Sequence, residues 1–124
     1  MKTEEDIVRI EVERSTPHKN WKDVMELINK LDNDRKVRFN DSLFIFTDRG
    51  DGVASFAMCN ADNLDQMPNS LKKFFDYMKD KKFVKLTCES ERRAMLRMVR
   101  RSGYWACVEK NEKDGVRGEV YLNV

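Results

Sequence analysis

With 124 residues, 24 Lys or Arg against 22 Asp or Glu (net charge +2), and 40% hydrophobic side chains, the chain has the length that one hydrophobic core organises, so one domain over residues 1 to 124 is expected. Twelve aromatics and seven methionines supply bulk for an interior and argue against disorder, while three cysteines without a C-x-x-C pair argue against a disulfide framework or a four-cysteine zinc site. No apolar run approaches the roughly 18 residues of a membrane span, and the charged start Met1 to Asp6 is unlike a signal peptide, so a cytoplasmic location is expected.

In chain order, Ile7 to Glu13 alternates apolar and charged residues, which predicts a half-buried strand. Thr16 and Pro17 then read as the cap and first position of a helix running to Leu31, with Trp21, Val24, Met25, Ile28 and Leu31 on its inner face. Lys36 to Phe39, Leu43 to Thr47 and Val53 to Cys59 predict a meander of strands, with a turn at Arg49 to Gly52. After the polar loop Asn60 to Met67, Leu71, Phe74, Phe75 and Met78 recur at helical spacing behind Pro68. Phe83 to Cys88 predicts another strand. Ser90 would cap a second helix with Ala94, Met95, Met98 and Val99 inward and Arg93, Arg97, Arg100 and Arg101 outward, stopped by Gly103. Tyr104 to Glu109 and Val116 to Asn123 close the chain as a hairpin. These elements predict a mixed α/β sandwich, with a mostly antiparallel sheet, helices on its faces and one parallel strand-helix-strand crossover.

Candidate chemistry is sparse. Cys59, Cys88 and Cys107 each fall in or at the end of a predicted strand and read as small buried hydrophobes. The single histidine, His18, stands beside Pro17 at a surface cap, which leaves no obvious base for a serine or cysteine nucleophile. Residues 71 to 101 hold eleven Lys or Arg against four Asp or Glu, a local +7 against −5 elsewhere. That basic segment can face an anion or be a solvated face. A nucleic-acid partner ranks last, because the total charge is small and no nucleic-acid-binding motif is present.

From Val53 onward the order strand, loop, helix, strand, helix ending in Gly103-Tyr104, and a final strand pair resembles the core of GNAT (Gcn5-related) N-acetyltransferases. In that family, Gln or Arg followed by x-x-Gly-x-Gly or Ala brings main-chain amides to the coenzyme A diphosphate at a helix N-terminus. Here the register is Gln66-Met67-Pro68-Asn69-Ser70-Leu71, with Asn69 and Leu71 in place of the two small residues and Pro68 lacking an N–H. In the second helix, Val99 falls where the family carries a general-acid tyrosine, and Arg92 falls at its asparagine.

The resemblance implies a GNAT-like α/β fold. It also implies an acetyltransferase-like function in which acetyl-CoA would lie along Met58 and Cys59, with its phosphates near Gln66, Asn69, Ser70 and Arg92 and a loop carboxylate between residues 60 and 65 as base. The missing glycines and tyrosine equally suit an interaction protein that kept the fold and lost the reaction. The pattern is also similar to small GNAT-like internal virion proteins of short-tailed bacteriophages, which would imply a viral protein in the host cytoplasm or the virion, with a protein partner.

Overall fold

The computed structural model describes residues 2–89, 93–111 and 115–122. The predicted first strand is instead a helix, α1 (Glu4–Ser15). Thr3 Oγ1 accepts from the Asp6 amide at 3.1 Å while the Asp6 carboxylate accepts from the Thr3 amide at 3.0 Å, a reciprocal cap reinforced by Glu4 and Glu5 in the first turn. Ile7, Val8 and Val12 are buried by this winding. Capping and burial together outweigh the weak helix preference of the β-branched run that imitates a strand.

Thr16 consequently closes α1, its amide donating to the Val12 carbonyl at 2.9 Å, and does not open the next helix. That helix, α2 (Trp21–Asn29), starts later than predicted and is capped by Asn20, whose Oδ1 accepts from the Lys22 amide. His18 lies exposed in the intervening turn. A short 3₁₀ turn, Asn33–Arg35, leads into the sheet.

The strands are β1 (Lys36–Phe39), β2 (Ser42–Gly50), β3 (Val53–Asn60), β4 (Lys85–Glu89), β5 (Trp105–Asn111) and β6 (Gly115–Tyr121), in spatial order β1-β2-β3-β4-β6-β5. All neighbours are antiparallel except β3 and β4, which are parallel and joined through α3 (Met67–Asp80), as the sequence predicts. α4 (Arg93–Arg101) links β4 to β5 and stops at Gly103, whose φ of +94° suits a residue without a Cβ. The predicted cap Ser90 and the tip of the final hairpin, residues 112–114, lie outside the described residues.

Alternation along the strands divides two cores. Phe44, Phe46, Ala54 and Phe56 face α3 and α4, where Leu71, Phe74, Phe75, Met78 and Val99 are buried and the Phe44 and Phe74 rings stack with centroids 4.2 Å apart. Leu43, with Ile45 and Cys59, faces Ile7, Val8, Val12 and Ile28 of α1 and α2. The result is the predicted mixed sheet with helices on both faces. None of the described helices is long and apolar enough to cross a membrane.

Candidate functional site

The parallel pair β3 and β4 is in register only from Val53–Lys85 to Ser55–Thr87. Beyond that point β3 continues to Asn60 beside β2 alone, and β4 continues to Glu89 beside β6 alone, so the sheet opens between them. The Ala61 amide donates across to Asp41 on the β2 side at 2.8 Å. By the alternation of an antiparallel ladder, the main-chain groups of Met58 and Asn60 therefore point into the opening. The Asn60 carbonyl is already engaged there by the Arg14 guanidinium of α1 at 2.8 Å.

Past the end of β3, the tip of the β1–β2 hairpin and the N-terminus of α3 converge on one buried carboxylate. Asp62 is 7% exposed. Its Oδ2 accepts from Ser70 Oγ and lies within reach of Ser42 Oγ, both at 2.6 Å, and its Oδ1 accepts from the Asp41 amide at 2.9 Å. Ser42 Oγ is also 2.9 Å from Asn60 Oδ1, which in turn accepts from the Asp62 amide at 2.8 Å. Asn40, held at a left-handed φ of 51° that asparagine tolerates, donates its side-chain amide to Ser70 Oγ at 2.8 Å. The carboxylate thus has the partners that a buried anion requires.

The helix terminus is closed in the same way. Asn63 accepts from the Gln66 amide through Oδ1 at 2.8 Å, and its carbonyl accepts from the Met67 amide at 3.1 Å. Pro68 has no N–H, and the Ser70 amide is taken by the Gln66 carbonyl at 3.0 Å. Of the donors that a helix N-terminus normally offers an anion, this leaves the amide of Asn69.

The residues that the sequence reading assigned to a cofactor are therefore distributed over different tasks. Met58 is half-buried against the α3 and α4 core, and Cys59 packs into the α1 and α2 core on the opposite face. Gln66 is exposed at the α3 cap without a side-chain capping bond, and Asn69 is exposed with its Oδ1 accepting from Asn40 at 3.3 Å. Ser70 is fully buried, its hydroxyl committed to Asp62 and Asn40. Arg92 lies outside the described residues. Leu71, which stands in place of the second small residue, is wholly buried in the α3 core and does not line the helix end. Of the carboxylates between residues 60 and 65 expected to hold a base, Asp62 is committed to Ser70, Ser42 and the Asp41 amide, and Asn63, expected only as part of a polar loop, caps the terminus. Their signal in the sequence is the run Asn60-Ala61-Asp62-Asn63, rich in short side chains that bond nearby main chain.

Groups able to move a proton are no better placed. Val99 is 3% exposed in the core and carries no proton to donate. Tyr104 donates to Asp76, and burial, followed by that carboxylate, pushes its hydroxyl up to about 12. Tyr121 donates to Glu119 at 2.6 Å, and that bond, followed by burial, pushes it up to about 12 as well. Burial, with Glu11 beside it, raises the Cys59 thiol to about 11, and burial also raises Cys88. None of these groups is tuned toward neutral pH. A separate groove of about 370 Å³, with Trp21 and Met25 in its wall, is built by α1 and α2 without any residue of the sheet opening.

No protein-family model matches the chain, and no curated protein sequence matches it significantly. Among solved structures, the fold is similar to the ribosomal-protein-S18-alanine N-acetyltransferase from Escherichia coli, with a TM-score of 0.53 at 12% identity over 96% of this chain and 86% of that chain. At that identity the likeness is one of fold, and the fold is GNAT-like.

Proposed function

We propose that this GNAT-fold chain is acetyltransferase-like in architecture but does not transfer an acetyl group from acetyl-CoA, and that it acts by binding a partner. The observation that carries this reading is the closed N-terminus of α3. Coenzyme A would bring a diphosphate to a helix end where Asn63 and Pro68 leave one free amide and where Asp62 already supplies a negative charge. The residues present do not fit that group. A buried carboxylate beside that helix end disfavours a second anion there.

The sheet opening between β3 and β4, which pair over three residues only, is consistent with a coenzyme-binding scaffold. Reaction chemistry is unsupported on the second helix too, where Val99 is aliphatic. An assay of thiol release from acetyl-CoA, with a mixture of amine and peptide acceptors, is expected to stay at the uncatalysed rate. Turnover that scales with protein concentration and disappears in Met58→Pro, which removes the main-chain donor in the opening, would overturn the reading.

A further inference from the structure

The small net charge of the whole chain argues against a polyanionic partner, but the fold does not distribute that charge evenly. α3 and α4 lie side by side on one face of the sheet, and their outer surfaces carry Lys72, Lys73 and Lys79 together with Arg97, Arg100 and Arg101, all exposed. Against these six cations the described parts of both helices set two carboxylates, Asp76 and Asp80, leaving +4. Asp76 is moreover occupied by Lys72 at 2.9 Å and by the Tyr104 hydroxyl.

Among the described side chains, which in α4 are those of residues 97–101, the exposed large hydrophobics are Leu27, Leu64, Val84 and Trp105, and none belongs to α3 or to that part of α4. Stable protein interfaces concentrate affinity in buried aromatic and aliphatic anchors, whereas phosphate contacts need only cations on a firm support. Tyr77, the aromatic of α3 nearest the surface, is held edge-on to Phe39 and Phe46 and is not free to stack on a base.

From this geometry we infer that the α3–α4 face binds the phosphate backbone of duplex nucleic acid without reading its sequence. The inference rests on the surface alone and is independent of whether acetyl-CoA binds. Two adjacent helices with cations and no stacking side chain favour a regular double strand over a single strand, which relies on aromatic platforms.

The test is fluorescence anisotropy with a labelled 20-base-pair DNA of arbitrary sequence, the corresponding single strand, and polyglutamate of similar charge. Duplex binding is expected at 50 mM salt, with affinity falling roughly 100- to 500-fold at 200 mM if four or five phosphates are neutralised. Arg97→Glu with Arg101→Glu is expected to lose at least tenfold in affinity while the melting temperature stays within a few degrees. Arg97→Gln with Arg101→Gln, a milder pair, should lose less and serves if the reversal does not fold. No duplex binding at 50 mM, affinity equal at both salts, or tighter binding of polyglutamate than of duplex would each overturn the inference.

Discussion

Asp62 ties the end of β3, the β1–β2 hairpin and α3 together through one side chain. Its carboxylate holds Ser70, Ser42 and the Asp41 amide together, so its removal takes the acceptor from the Asp41 amide and one bond from each of the two buried hydroxyls. Such losses cost more than a hydrogen bond contributes, and Asp62→Ala is expected to destabilise the protein by about 3 kcal/mol in urea denaturation at pH 7. A loss under about 1 kcal/mol would mean that water replaces the carboxylate and that the helix end is open. Cys59 offers a second check at this scale. A thiol raised from 9.0 to about 11 has about a hundredfold less thiolate near pH 8, so its alkylation by iodoacetamide should be slower by that order than that of an ordinary exposed thiol. Single residues were the least legible level of the sequence. Pro68 and Val99 could be read as departures from a family pattern, but the direction of Leu71 depends on the phase of α3, and the role of Asp62 depends on a hairpin tip more than twenty residues away.

Elements were more legible where pattern and position agree. β1 and the core-facing stripe of α3 follow from their residues, and the parallel β3-α3-β4 unit follows from the length of its crossover. α1 departs from the predicted strand because Val8, Ile10 and Val12 satisfy a period of two while Ile7, Val8 and Val12 form a helical face, and the deciding information is the Thr3–Asp6 cap. Thr3→Ala should therefore cost about 1 kcal/mol. Between β4 and β6, a Cβ on Gly118 would meet the Cys88 sulfur at 2.9 Å, so Gly118→Ala should destabilise by roughly 1–3 kcal/mol, with partial recovery in the double variant carrying Cys88→Ala. Equal loss in the single and double variants would place the strain in the main chain.

The contact between α3 and the start of β5 is pH-dependent. The Tyr104 hydroxyl, followed by Lys72, holds the Asp76 carboxyl below its ordinary 3.8. A lowered value in the folded state contributes stability that is complete above about pH 4 and is lost as the pH falls through the folded value. Asp76 is half-exposed, which limits the effect. Tyr104→Phe should cost about 0.5–1 kcal/mol at pH 7 and less near pH 2.5, by denaturation at both pH values. The opposite trend would assign the bond to the neutral carboxyl.

For the whole molecule, the arrangement sets an open sheet beside a closed helix end. The sheet parts between β3 and β4, while the N-terminus of the helix that follows β3 is closed by Asn63 beside the buried Asp62. The most direct measurement is a thermal-shift titration with acetyl-CoA at 1 mM. A ligand with a dissociation constant of about 10 μM would add about 2.7 kcal/mol at that concentration, raising the melting temperature by roughly 8–13 °C for a domain of this size. The closed helix end predicts a change below about 1 °C; a saturable rise of several degrees would contradict it.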